Sequence, residues 1–399
     1  MRPQRGVSWC LFLSLVGIGL SGFLTYLHLG LLRGELLGGA VCGGAGAFNC
    51  HIVTESAWGS FLGIPLALWG VLGYVTILGL ALLARQPGDW AGHAMAAIVL
   101  LTAVSVSIDL VLLGAMVFAI HFFCLFCLTT YLVNLSLLVV STRALGRPWP
   151  EALRHLGPSI GALVPSSQRP AAGLFWGIMT VGVLGVAGVH AGTTFMARGT
   201  LGSMHTQIHE FVTKQPHVSI DTTGDPTIGR PGAPIQIVEF SDFMCPACQK
   251  ASKLNAIIMA NHRQNAAFTF KNFPLDMTCN ESIPRIVHAG ACQLAAAGEC
   301  AFQQGKFWPM HDLLFKEQGH GSASHFEGKL GELGLDSARF NACMESGEGL
   351  AAVKRDIAEA KKANVMSTPT YVINGIPIPG GVSPSMFDEF VDAIQESSR

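Results

Sequence analysis

Eleven cysteines, at positions 10, 42, 50, 124, 127, 245, 248, 279, 292, 300 and 343, carry most of the chemical capacity of this 399-residue chain. Four of them make two C-x-x-C pairs, Cys245-Pro-Ala-Cys248 and Cys124-Leu-Phe-Cys127. A C-x-x-C that opens a helix after a strand is a redox signature, because the helix N-terminus stabilises the thiolate of the first cysteine. Cys245 is therefore the expected attacking thiolate and Cys248, one turn further in, the resolving thiol. A zinc site would need a second ligand pair, and a purely structural disulfide would close a short, strained loop.

The pair Cys124 and Cys127 opens an apolar stretch, and Thr130, Tyr131 and Asn134 continue the same helix face. Polar groups inside a bilayer usually face the bundle interior, and thiols at that depth can meet a lipid-soluble electron carrier. Cys42 and Cys50 flank a Gly-rich loop, Val41-Cys-Gly-Gly-Ala-Gly-Ala-Phe-Asn-Cys50, expected to reach the membrane surface and the aqueous side. One mobile pair and one embedded pair form a relay; the alternatives are a four-thiolate zinc site built from both pairs and a loop disulfide of no catalytic role. Cys279, Cys292, Cys300 and Cys343 read as two structural disulfides, and their three possible pairings stay open. Cys10 reads as a small apolar residue of the first span.

The elements that must position these thiols divide into two kinds. Residues 1–200 hold 9 Arg, no Lys and 5 acidic residues, whereas residues 201–399 hold 16 basic and 21 acidic ones. A membrane helix needs roughly 20 apolar residues, and stretches near 7–31, 58–84, 92–117, 120–141 and 172–192 qualify. The first follows Arg2 and Arg5 without a small-residue cleavage site and is expected to be retained as a helix, not removed as a signal peptide. Arg2, Arg5, Arg85, Arg143, Arg147, Arg154 and Arg169 fall on one side if the spans alternate, which predicts a cytoplasmic N-terminus. The loop 32–57, a tight turn near 117–121 and everything after 192 then lie on the extracytoplasmic side, where disulfides persist. Asp109, inside the third span, is expected to hydrogen-bond within the bundle in preference to moving protons.

After a connector at 193–232, the pattern becomes that of an α/β domain over 233–399. Strands are expected at Ile235–Phe240, Phe268–Phe273, Thr370–Asn374 and Ile376–Pro379, helices at about 246–260 and from Ser383, and a helical block over roughly 280–363. The near-zero balance of 25 basic against 26 acidic residues offers no basic patch for nucleic acid.

Two resemblances follow from these motifs. Glu239-Phe-Ser-Asp-Phe-Met-Cys-Pro-Ala-Cys, Phe307-Trp-Pro-Met-His-Asp and Ser367-Thr-Pro-Thr-Tyr-Val-Ile-Asn-Gly resemble the DsbA-like branch of the thioredoxin superfamily over about 215–399. That resemblance implies a cis Pro369 against the C-x-x-C, binding substrate in extended form, and a buried acid, Glu239, that shuttles a proton to Cys248; a solvated Glu239 is the alternative. Cys50-His-Ile-Val-Thr-Glu-Ser56, Gly63-Ile-Pro65 and Cys124-Leu-Phe-Cys127 with Tyr131 resemble the vitamin K epoxide reductase family over about 7–141. It implies a four-helix bundle in residues 1–145; the apolar pattern adds after it a cytoplasmic loop and fifth transmembrane helix at 146–192. The resemblance also implies that Cys42 is attacked by the partner thioredoxin, that Cys50 pairs transiently with Cys124, and that Cys127 lies against a quinone, ubiquinone or menaquinone. The family's serine near the quinone corresponds to Ser56, which could equally cap a helix.

The expected activity is a quinone-linked thiol-disulfide oxidoreductase of the plasma (inner) membrane, acting on secreted or periplasmic protein thiols and surrounded by membrane lipid. Rival readings are a quinol-driven reductase or isomerase, a metallochaperone using the Cys pairs with His51 or His121, and a membrane anchor whose cysteines are only staples. Oligomeric state, quinone and client proteins are not legible in the sequence.

Overall fold

The computed structural model describes residues 3–32, 48–86, 90–146, 170–318 and 323–397. Cys42 lies outside them. The chain divides into two compact units, Met1–Thr200 and Leu201–Arg399.

The first unit is helical. Its elements are α1 (Pro3–Leu32), the short α2 (Cys50–Glu55), strands β1 (Ser60–Phe61) and β2 (Ile64–Pro65), α3 (Leu66–Ala84), α4 (Trp90–Ala115) and α5 (Leu125–Leu145). Among the described residues four stretches are long and apolar enough to cross a membrane: Arg5–Leu31, Leu66–Ala84, Ala91–Ile120 and Leu125–Leu145. Helix α1 packs on α3 and α5, and α4 packs on the same two, so the four close into a bundle. Lipid tails give apolar helices no reason to associate, and close approach at small residues supplies the missing contact. At Gly17 a Cβ would come within 2.4 Å of the Tyr74 ring, so only glycine lets α1 lie against α3 there.

Two span boundaries differ from the sequence expectation. The second span begins at Leu66 instead of 58, because Leu62 and Gly63, with φ of 55° and 74°, form the tip of the β1–β2 hairpin. That left-handed pair at a two-residue turn suits a hairpin, and Pro65 at the helix N-cap cannot donate into a preceding turn. The fourth begins at Leu125 instead of 120. A π turn over Met116–Ile120 ends α4, His121 takes φ 63°, and the chain reverses into Cys124.

The sequence placed a connector over 193–232 and ended the fifth span at 192. The apolar stretch does end at Gly192, but the helix that carries it continues into the connector. One helix, α6, runs from Pro170 to Lys214, and its apolar stretch Trp176–Gly192 is shorter than the other four. No proline interrupts 193–214, and the last turns bury Ile208 and Val212 in a core shared with Phe387, Phe390 and Ile394. Burial of one face thus overrides a composition rich in glycine and threonine. The former connector also contains a strand, β3 (Thr227–Gly229).

The second unit is a mixed sheet with helices, the α/β thioredoxin-like region expected. Beyond β3 it contains β4 (Ile235–Ser241), α7 (Pro246–Asn261), β5 (Ala266–Asn272), α8 (Ala291–Phe302), α9 (Phe307–Lys316), a 3-10 turn (Ala323–Lys329), α10 (Ser337–Ser346), α11 (Glu348–Lys362), β6 (Thr370–Ile373), β7 (Ile376–Pro379) and α12 (Pro384–Ser397). The strand order is β3-β5-β4-β6-β7, with β4 and β5 parallel and the other pairs antiparallel. β4 is central and buried at every position but Gln236, which makes its C-terminal end a rigid launch point for the loop that follows. Asn374 and Gly375, with φ of 45° and 88°, turn β6 into β7.

The helical block starts at Ala291, not near 280. Residues 273–290 are irregular, gathered by Asp276, whose carboxylate accepts the N–H of Gly290 at 2.9 Å. Disulfides Cys279–Cys292 and Cys300–Cys343 settle the pairing left open by the sequence. The first closes that loop onto α8, and the second joins α8 to α10.

The packing of α6 gives a test. Ile208→Ala, deep in the core of the second unit, is expected to lower its stability by about 2–4 kcal/mol, read as a shift of the denaturant midpoint; no shift would mean that 201–214 is a tether only.

Candidate redox centres

β4 ends at Ser241, and Asp242 forms the turn that delivers Cys245. Its carbonyl accepts the Cys245 N–H at 3.0 Å and its Oδ1 the Met244 N–H at 2.7 Å. Cys245 is the N-cap of α7 and Pro246 its first residue, a position where a missing N–H costs nothing. The Thr368 carbonyl lies 3.5 Å from the Cys245 sulfur, and the Thr368–Pro369 peptide is cis. The structure thus brings Cys245, Cys248 and Pro369 to one place.

The two thiols are driven apart. A hydrogen bond from the Cys248 thiol, assisted by the first N–H groups of α7 and opposed by burial, brings the Cys245 pKa down to about 5. Burial, and then the neighbouring Cys245 sulfur and the Glu239 charge, hold Cys248 far above the ordinary thiol value. Glu239 is only 1% exposed, so it is the buried acid and not a solvated strand end. Burial, with the charge of Cys245 adding, raises its pKa to about 7 against the hydrogen bond from Asn255. Asn255 donates to Glu239 Oε2 at 2.6 Å and accepts from the Tyr371 hydroxyl at 2.7 Å. Sequence reasoning missed Asn255 and Tyr371, which lie 16 and 132 positions from Glu239 and show no pattern linking them.

In the first unit, Cys50 opens α2 behind Asn49, whose Oδ1 accepts the N–H groups of His51 and Ile52 at 3.1 and 3.2 Å. Asn49 N–H in turn donates to the Phe123 carbonyl at 2.9 Å, which pins the start of α2 beside Cys124. Cys124 is the N-cap of α5 and its sulfur accepts the Cys127 N–H at 3.3 Å. Cys50 and Cys124 are buried in one apolar cluster and Cys127 packs against it, so three cysteines from two elements lie together. Cys50 and Cys124 are buried, Cys127 half-buried.

Cys127 opens onto a cavity of about 230 Å³, lined also by Tyr131, Asn134, Asp109, Tyr74 and Trp58. A hydrogen-bonded row runs along its wall: the Tyr74 hydroxyl donates to Asn134 Oδ1 at 2.7 Å, and Asn134 Nδ2 donates to Asp109 Oδ2 at 2.8 Å. Asp109 therefore hydrogen-bonds within the bundle. A mostly apolar wall with a few convergent polar groups is the makeup of a small-molecule site. Ser56 is not on its wall. It is the C-cap of α2, and its hydroxyl donates back to the Val53 carbonyl at 2.8 Å, so it is committed locally.

Residues 8–142 match the sequence model of the Vitamin K epoxide reductase family, and residues 221–393 that of a Thioredoxin family. Among curated proteins, the chain is similar to Na(+)/H(+) antiporter NhaA 1 of Salinispora arenicola, 32% identical over 158 residues, which are 40% of this chain and 23% of that protein. It is also similar to Na(+)/H(+) antiporter NhaA of Herminiimonas arsenicoxydans, 29% identical over 180 residues, 45% of this chain and 26% of that protein. The match thus spans about a quarter of those relatives' length. Among solved structures it is similar to a thioredoxin-like oxidoreductase from Silicibacter pomeroyi (26% identity, 44% of this chain, 94% of that chain, TM-score 0.38). A second is oxidised BdbD from Bacillus subtilis (23%, 46%, 97%, 0.37).

Two measurements check the electrostatics. Alkylation of reduced protein by iodoacetamide, read at peptide level against pH, is expected to reach half-maximal rate at Cys245 near pH 5 while Cys248 stays unreactive; a midpoint near 9 would contradict the geometry. For Glu239 the raised value means that the unfolded chain ionises first. Wild-type stability should fall as pH rises from 4.5 to about 7, by roughly 3 kcal/mol, and Glu239→Gln should flatten that slope.

Proposed function

We propose that this chain, in which a vitamin K epoxide reductase domain (residues 8–142) is joined to a thioredoxin-like domain (residues 221–393), is a quinone-linked thiol-disulfide oxidoreductase. It makes disulfides in extracytoplasmic proteins. The observation that carries the reading is the grouping of Cys50, Cys124 and Cys127 in one buried cluster, with Cys127 on the wall of an apolar cavity.

A client thiolate attacks the Cys245–Cys248 disulfide at the Cys245 sulfur. Cys248 leaves and takes a proton, for which Glu239 is poised. A second client thiolate then releases Cys245, whose stable thiolate is a good leaving group, and the client keeps a disulfide. A dithiol stabilised as thiolate makes its disulfide oxidising, which favours oxidation of clients over their reduction.

The reduced pair passes two electrons to a Cys42–Cys50 disulfide, again through a mixed disulfide. Cys50 exchanges with Cys124, and Cys124 with Cys127. A ubiquinone or menaquinone held beside Cys127 and Tyr131 would accept the two electrons and two protons released per disulfide. Carrying both domains on one chain raises their effective concentration. The domain arrangement fits a plasma-membrane protein with a cytoplasmic N-terminus, α6 supplying the fifth crossing and the thioredoxin-like domain outside.

The test is to reduce the purified protein, add a ubiquinone or menaquinone analogue, and follow quinone absorbance together with free thiols. Wild type should lose one quinone per two thiols, and Cys127→Ser should lose none. Failure of fully reduced wild-type protein to consume either quinone would sink the proposal.

A further inference from the structure

Asp242 is tied to more than the turn it shapes. Besides holding Met244 and Cys245, its Oδ2 accepts the N–H of Leu275 at 2.8 Å and faces Nδ1 of His288 at 2.8 Å. The Asp242 side chain is 0% exposed and that of His288 18%. A buried carboxylate whose partners are all N–H donors wants a counter-charge, and removing that charge leaves the anion uncompensated. The protonated imidazole of His288 supplies it. His288 is fixed by its own backbone too, its N–H donating to the Leu275 carbonyl at 3.0 Å.

This pair sits beside the attacking sulfur. A turn closed by a carbonyl to the third following N–H keeps its ends within about 7 Å. Asp242 thus links the two, its carbonyl holding the Cys245 N–H at 3.0 Å and its carboxylate the His288 ring at 2.8 Å. The groups that raise the affinity of His288 for its proton, against burial, are Asp242 first and Cys245 second. The influence is mutual: what the thiolate does for the imidazolium, the imidazolium does for the thiolate.

We propose that His288 is a positioning residue for the redox centre: its positive charge, held by Asp242, stabilises the Cys245 thiolate and makes the Cys245–Cys248 disulfide more oxidising. Without it, the buried Asp242 carboxylate would face the thiolate uncompensated. As pH rises through the raised imidazole value the charge is lost, and with it this part of the oxidising power. The inference rests on Cys245–Cys248 being a redox centre and is independent of what lies beyond Cys50.

The experiment uses the full chain in detergent, as wild type, His288→Gln and His288→Arg. Two readouts are taken against pH: the alkylation rate of Cys245, and the glutathione ratio that half-reduces the Cys245–Cys248 pair. The Gln variant should move the alkylation midpoint upward and require on the order of fivefold more reduced glutathione. The Arg variant should match wild type near neutrality and stay oxidising at higher pH, where wild type weakens. Unchanged readouts in a folded Gln variant would overturn the proposal, as would equal shifts in Gln and Arg, since shape and not charge would then matter. If the Gln variant does not accumulate, an Arg variant that weakens with pH just as wild type does would overturn it. Absence of any glutathione-dependent equilibrium in wild type would instead refute the redox-centre reading itself.

Discussion

A thiol attacks only as a thiolate, and a thiolate is costly to bury. Cys245 is placed where that conflict is relieved, at the N-cap of α7, whose unpaired N–H groups offer positive potential; Cys124 likewise stands at the start of a helix, α5. The rest of each unit can be read as the means of holding a helix start in a dry place. In the second unit the central strand β4 ends against the turn at Asp242, so the helix must begin where it does. In the first, the left-handed His121 and the Asn49-to-Phe123 bond bring α2 and α5 together at their N-termini.

The asymmetry between Cys245 and Cys248 follows from depth. Cys245 sees N–H groups and a thiol donor; Cys248, one turn inside, sees strand β4 and Glu239. One helical turn separates a nucleophile from a group that must be deprotonated by help. Glu239 can give that help because it is buried enough to hold its proton near neutrality, and Asn255 and Tyr371 keep it oriented without neutralising it.

Much of this was legible in the residues. Cys245-Pro-Ala-Cys248 after Ile235–Phe240 located the redox turn, and the adjoining runs Thr370–Asn374 and Ile376–Pro379 located the last two strands, because local pattern alone marks them. The four apolar stretches gave the bundle. What escaped was set by tertiary contact: the extension of α6 to Lys214 depends on Ile208 and Val212 meeting α12, and β3 is a strand because β5 offers it an edge. His288 lies 46 positions from Asp242, and no periodicity announces such a pair. Ser56 was placed by resemblance, and the local bond to Val53 shows where its hydroxyl is committed.

The disulfide Cys279–Cys292 closes the irregular loop that carries His288 to Asp242. A chain that oxidises others would thus depend on a bond of the kind it makes to assemble its own active site. Under the proposed function, a newly made molecule would begin as a client, waiting for an older copy or another oxidant before joining the catalysts. The supply of working enzyme would then grow from the enzyme already present, and a cell emptied of it would recover with a lag.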